Sequence, residues 1–479
     1  MRGRGAFLLL ACLLAAAISG AACRAPEAAT GPALALTHVT MVDVTAGALL
    51  PERTVVVHGE RLLAAGPSRA VAVPAGARVV DGRGRYLIPG LWDHHVHISA
   101  PERVLPLFLA HGVTGVRDMG NAPLVFRWRE EVERGERLGP RIVACGPIVD
   151  GPQPSAAAYT FVVASPEDGR RAVTRLARLG ADCVKVYNEV PRAAYHAVAE
   201  EARRRGLPLV GHVPNAVTLV EAAAAGQATN EHLGGLLEAG SREAGALRHA
   251  LLQAPPPARP EDIPDRIAAS GERALATWDA ATAARLFRAL ASGGLAQVPT
   301  LVTKRVQSRI DEIAAAPDPR LRWVSHYDRS WWRPTRNYLF RYRTPAYLAY
   351  RHRAYARELA LVGELHRAGV GILAGTDLGN PWIYPGASLH DELELLVEAG
   401  LPPRAALAAA TTPPAKVEAP AGDWVLLAAD PLADIRNVRK IEGVVVRGRW
   451  LDRAALDRLL VAAAQTVTSG IAEPAGRER

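Results

Sequence analysis

The residues able to do chemistry in this chain gather at the ends of five short apolar runs. The first is Pro89-Gly90-Leu91-Trp92-Asp93-His94-His95-Val96-His97. On an extended strand side chains alternate, so Asp93, His95 and His97 share one face and His94 takes the other. Two imidazoles two residues apart at a strand end can grip one divalent ion. A pair of surface histidines is the alternative. In Ala181-Asp182-Cys183-Val184-Lys185-Val186-Tyr187 the same alternation groups Cys183, Lys185 and Tyr187, and sets Val184 and Val186 apart. A lysine in that setting is costly unless it is paired or modified. It is one of only four lysines (Lys185, Lys304, Lys416, Lys440), and a buried pair with an acid is the alternative. Leu209-Val210-Gly211-His212 and Thr229-Asn230-Glu231-His232 each end in histidine, and Ile372-Leu373-Ala374-Gly375-Thr376-Asp377 ends in aspartate. Each is weak alone. Together they meet at one end of a barrel if the runs are its strands.

The elements that must position these residues follow a rhythm. Between 87 and 410 short apolar runs alternate with helical stretches, which argues for β/α units on a parallel sheet. Strands are expected at 87–97, 113–118, 141–146, 182–187, 208–212, 228–232, 296–301 and 371–377. Helices are expected at 191–205 and at 388–399, the latter with a serine N-cap at Ser388 and an acidic first turn. Eight such units predict an α/β fold, a (β/α)8 TIM-like barrel whose chemistry sits at the C-terminal strand ends. Short β runs flank it on both sides, at 35–42, 54–57 and 78–80 and at 423–427 and 443–448. They predict a small composite β-sandwich built from both chain ends. The domain boundaries expected are 33–86 for its first part, 87–415 for the barrel, 416–452 for its second part, and 453–479 for a C-terminal helix and tail.

A chain of 479 residues is long enough for this plan. Residues 1–23 are read as an export signal: Arg2 and Arg4 precede an apolar stretch from Ala6 to Ile18, and small residues then lead to Cys23. Cys23 is the expected lipidated residue, with plain secretion as the alternative, and 24–32 is a tether. A lipid of this kind would hold the protein on a membrane without inserting it. Cys145 and Cys183 remain as two thiols outside any disulfide framework, with Cys183 expected to fill the barrel interior. The net charge of +9 is carried almost wholly by arginines mixed with acids along the whole chain, so it reads as a solvated surface and not as a nucleic-acid site.

The motifs Pro-Gly-Leu-Trp-Asp-x-His-x-His, Val-Lys-Val-Tyr, Gly-His-Val, Glu-His-Leu and Gly-Thr-Asp, in this order, resemble the amidohydrolase superfamily, and most of all its imidazolonepropionase-like and prolidase-like branch. The resemblance covers residues 33–452 and takes in Val116-Arg117-Asp118-Met119-Gly120 and Ser388-Leu389-His390. It implies two divalent metal ions, zinc by preference. His95, His97 and Asp377 would hold the first, and His212 and His232 the second. Lys185, N6-carboxylated by carbon dioxide, would bridge them. It further implies hydrolysis of an amide C–N bond by a metal-bridging hydroxide, with Asp377 as the proton shuttle.

The expected substrate is a small molecule, a dipeptide or an N-acyl amino acid. A cyclic amide, imidazolone or lactone is the alternative, and a ligand-binding surface lipoprotein is the non-enzyme alternative. Tyr187 is placed to donate to a tetrahedral oxyanion. His390 is placed either to touch substrate or to cap its helix. Two features depart from the pattern. The segment Pro414-Ala415-Lys416-Val417-Glu418 leads almost directly to Asp423. Residues 321–357 are rich in aromatics and arginine (Trp323, Trp331, Trp332, Tyr338, Tyr342, Arg333, Arg336, Arg341), which suits either a lid over substrate or a packed helical insertion.

Overall fold

The computed structural model describes residues 31–154, 159–255, 258–337, 339–413 and 422–468. The export signal with Cys23, most of the tether, Tyr338, the segment 414–418 and the tail from 469 lie outside them. The described chain from Pro32 onward forms one compact unit. No helix among the described residues is long and apolar enough to cross a membrane.

Both ends of the described chain meet in one eight-stranded sheet. Its order runs Arg449–Asp452, Ile441–Val446, Trp424–Leu427, Tyr86–Pro89, Leu34–Asp43, Ala48–His58 and Arg61–Pro67, with Arg78–Asp81 also paired to Leu34–Asp43. The seam is the antiparallel pairing of Trp424–Leu427 with Tyr86–Pro89, where Val425 faces Ile88. Residues spaced by two on its strands (Leu34 and Leu36, Val55 and Val57) pack with Leu87, Leu426 and Val445 into their own apolar cluster.

The strand expected at 87–97 breaks at Gly90. A Cβ there would stand 2.0 Å from Thr114 Oγ1, so only glycine lets the chain pass. Tyr86–Pro89 therefore joins the two-ended sheet, and Leu91–Val96 opens a second, parallel system. Leu91–Val96 pairs with Val113–Asp118, which pairs with Arg141–Ala144. Asp182 N donates to Ala144 O and leads into Val184–Val186, itself parallel to Leu209–Gly211. Ala228 N donates to Leu209 O and leads into Thr229–Glu231, parallel to Ala296–Val298. Gln297 N donates to Gly371 O and Leu373 N to Gln297 O. Finally His94 N donates to Ala374 O and Asp377 N to His95 O, which returns the ladder to its first strand. Helices fill the connections, among them Arg192–Arg204 and Ala387–Glu398, close to their expected limits.

Several expectations are corrected. The strand expected at 296–301 ends at Val298, because Thr300 turns to φ 49° and the helix Leu301–Ser308 starts at once. Ser388 is not an N-cap. The helix begins at Ala387 after Gly386, no acid lies in its first turn, and Ser388 Oγ accepts from Tyr384 N. Cys145 and Cys183 are not separate thiols but a disulfide, with Cα atoms 4.6 Å apart, Cys145 just after the strand Arg141–Ala144 and Cys183 just before Val184–Val186. The pair packs with Trp92, Met119, Val143 and Val210. The aromatic insertion is packed in part: Trp323 and Trp332 are buried with Leu107, Tyr384 and Ala463, and Trp323 Nε1 donates to Leu460 O of the helix Arg453–Thr468, while Trp331, Arg333, Arg336 and Arg341 are exposed.

Candidate active site

Four imidazoles, a lysine and an aspartate converge where the parallel strands end. His95 and His97 leave the first strand, and their ring centroids lie 5.4 Å apart. His95 is 4.6 Å from His232, and His212 is 5.1 Å from His232, centroid to centroid. Asp377 Oδ1 lies 3.5 Å from His95 Nε2 and 3.6 Å from His97 Nε2. The tightest group able to hold an ion is His95, His232 and Asp377, with one ligand atom from each within 4.8 Å of the others.

The orientation of each ring is set by its other nitrogen. His97 Nδ1 lies 2.9 Å from Gly120 O, and a carbonyl only accepts, so Nδ1 carries the proton and Nε2 keeps its lone pair. His95 Nδ1 donates in the same way to Glu231 Oε2 at 2.7 Å. His212 Nδ1 lies 2.8 Å from Asn188 Oδ1, and His232 Nδ1 lies 2.8 Å from Thr300 Oγ1. Among the described residues, His95 Nε2 and His212 Nε2 are buried with no hydrogen-bond partner. Burial holds three of these rings neutral: it drives His95 and His232 well below the usual histidine range and His212 down to about 3. Neutral imidazoles with unsatisfied, inward nitrogens are what a divalent cation requires. The residues present therefore fit a metal centre.

Lys185 lies within this group, 1% exposed. Among the described residues no carboxylate stands within ion-pair distance of its Nζ, while Asp377, Glu231 and Asp118 act on it from farther off. Burial lowers it to about 8. Gly211 on the next strand allows its approach. Gly211 has φ +114°, and a Cβ there would lie 2.3 Å from Val186 O and 3.0 Å from Lys185 Cγ. Tyr187 stacks on His212 with centroids 4.0 Å apart, and Lys185 Nζ lies 5.3 Å from its ring, so the structure brings Tyr187 to the site. Burial raises the Asp377 carboxyl to about 6.

His390 is not brought there, and the expectation for it is corrected. It lies inside the helix Ala387–Glu398 with its Nε2 2.9 Å from His111 O, a tie between two helices and not a cap of its own.

A supporting shell went unread in the sequence. Glu231, which orients His95, takes a hydrogen bond from Arg117 Nη2 at 3.0 Å and from Thr229 Oγ1 at 2.6 Å. Arg117 Nε donates in turn to His94 O. Asp93 receives Thr376 N and Thr376 Oγ1, which ties the first strand to the residue before Asp377. The available signal was a buried-type charge of each sign, Arg117 and Glu231, inside two otherwise strand-like runs. His232, Thr300 and Asp377 also have φ of 59°, 49° and 59°. Non-glycine residues seldom adopt the left-handed region, and such strain collects at functional sites.

Residues 86–451 match the model of the amidohydrolase family. A solved bottromycin amidohydrolase is similar over 93% of this chain and 94% of its own, with 26% identity and a TM-score of 0.70. A putative prolidase from Bifidobacterium longum shares the fold at 23% identity and a TM-score of 0.61, over 91% of this chain and all of its own. Among curated relatives, the adenine deaminase of Rubrobacter xylanophilus is 37% identical over 91 residues, 16% of this chain and 15% of its own length. That of Ruegeria pomeroyi is 24% identical over 211 residues, 41% of this chain and 34% of its own length. The chain thus spans well under half of the curated relatives it matches. The chain belongs to the amidohydrolase family.

Proposed function

We propose that this protein hydrolyses the amide bond of a dipeptide or an N-acyl amino acid at a two-metal centre. The observation that carries the reading is the set of four imidazoles whose Nδ1 atoms are each tied to an outer partner. His95, His97 and Asp377 would hold one ion, and His212 and His232 the other. Lys185 would join them as a carbamate: its ammonium gives up one proton, the amine nitrogen bonds to the carbon of carbon dioxide and releases a second, which turns a cation into an anion with two ligand oxygens. The burial of that lysine, with no acid paired to it, supports this step. Zinc is the expected ion, on the chemistry of an imidazole-rich site.

Divalent ions bound there would lower the pKa of water and polarise a carbonyl. The Asp377 carboxylate takes the proton of the attacking water and passes it to the leaving nitrogen. The Tyr187 hydroxyl donates to the oxygen that gains negative charge. One C–O bond forms, one C–N bond breaks, and an acid and an amine leave. We read the closed parallel ladder as the (β/α)8 barrel and the two-ended sheet as the composite sandwich. Export, with Cys23 lipidated, belongs to the same reading. The Cys145–Cys183 disulfide supports an oxidising compartment.

A second reading, hydrolysis of a cyclic amide or of the C–N bond to an amino group carried on a ring, is favoured by the local likeness to adenine deaminases. Chromatography of reactions with dipeptides, N-acyl amino acids, cyclic amides and adenine separates the two. Release of a free amino acid supports the first reading. Ring opening or ammonia from adenine, with dipeptides and N-acyl amino acids untouched, would replace it with the second.

A further inference from the structure

The helix Leu301–Ser308 begins one residue after Thr300. A threonine at that position ordinarily caps its helix, its hydroxyl accepting an N–H of the first turn. Here it makes no such bond, because Thr300 Oγ1 is engaged with His232 Nδ1 at 2.8 Å. The first N–H groups of a buried helix must still be satisfied. Glu392, from the helix Ala387–Glu398, does this from outside: its two oxygens accept Leu301 N at 3.0 Å and Val302 N at 2.7 Å. Glu392 is 0% exposed, and among the described residues no cation pairs with it. A carboxyl so placed is costly unless it serves the structure around it. The helix it caps also reaches the segment 371–377, which forms an isolated bridge at Ile372 and not the strand expected there: Thr303 Oγ1 donates to Thr376 O at 2.8 Å, next to Asp377. Thr300 itself is a β-branched residue at φ 49°, a backbone that needs holding.

We propose that Glu392 is a positioning residue for His232, acting through Thr300. By capping the helix in place of the threonine, it frees that hydroxyl to receive the His232 Nδ1 proton and turn Nε2 inward. The inference rests on the reading of His232 as a metal ligand, but its first test does not. In full-length, metal-free protein labelled with ¹⁵N-histidine, the His232 signal, assigned by its loss in His232→Asn, should show the Nδ1–H tautomer. Glu392→Gln and Thr300→Ala should shift it towards Nε2–H, while Thr300→Ser should retain it.

The second measurement is zinc affinity by chelator competition with bicarbonate present. One site should weaken by about 10–100-fold in Glu392→Gln and Thr300→Ala, the scale of a lost outer partner of a ligand. The double variant should be no weaker than Thr300→Ala alone. If Glu392→Gln does not fold, Glu392→Asp is read in the same way. A Glu392→Gln protein that melts earlier yet keeps the wild-type tautomer and zinc affinity would reduce Glu392 to a helix cap and overturn the proposal. Wild-type protein that binds no zinc would sink the metal reading, and the tautomer comparison would still decide the role of Glu392.

Discussion

Two clusters share the same parallel strands and are built on opposite principles. One holds His95, His97, Lys185, His212, His232 and Asp377, with buried imidazole nitrogens lacking partners and two backbones, those of His232 and Asp377, in the left-handed region. The other holds Trp92, Met119, Val143 and Val210 around the Cys145–Cys183 disulfide, and is apolar and cross-linked. Cys183 and Lys185 are two residues apart, so the change from one regime to the other takes place within about 7 Å of chain. Groups that must wait for a ligand are held unsatisfied, and such groups tend to destabilise a fold. Close-packed and covalent contacts just beneath them offset that cost. Function and stability should therefore separate under mutation.

The largest effect is expected at the lysine. Lys185→Ala should lose metal and nearly all turnover, while the melting temperature of the metal-free protein holds, because the buried amine makes no ion pair that its removal would break. Wild-type turnover in that variant would make the lysine structural. Next comes Asp377→Asn, which is nearly isosteric but cannot take up a proton at neutral pH. Turnover should fall by about 10²-fold or more, the scale of a lost general base, while much of the metal stays on the histidines. His212→Asn should lose metal and rate together. Metal content and turnover measured on the same preparations distinguish the two, and near-wild-type turnover of Asp377→Asn with metal bound would end its proton-shuttle role.

Glu231→Gln probes the partner of His95. Its effect should be smaller, a metal affinity weaker by about 10–100-fold in chelator competition. An unchanged affinity would show that the Arg117–Glu231–His95 chain serves only the core. The cysteine pair provides the contrast. The double variant Cys145→Ala/Cys183→Ala should lose about 3 kcal/mol of stability by denaturant titration, for a disulfide that spans 38 residues, while it keeps its metal stoichiometry. Metal loss at unchanged stability would join the two clusters into one.

What could be read in advance follows the same division. The converging side chains were legible because histidine, a rare lysine and an aspartate each end an apolar strand-like run, and strand ends of one parallel system face one side. The disulfide was not, since pairing two cysteines 38 residues apart needs the register of neighbouring strands, which no local pattern carries. His390 misled because its spacing after the last strand says nothing about which side of its helix faces the site; that side meets His111. Glu231, Arg117 and Glu392 act across the sheet and between helices, on partners 136, 114 and about 90 residues away respectively. The aromatics of the insertion were visible, but their burial against the C-terminal helix depends on packing alone.

The central claim is that six side chains, from His95 to Asp377, hold two metal ions in each chain. Elemental analysis of the full chain, purified without chelator and then reconstituted with zinc and bicarbonate, tests it most directly. Close to two ions per chain are expected, falling to one or fewer in Lys185→Ala. Well below one ion in the reconstituted wild-type protein would contradict it.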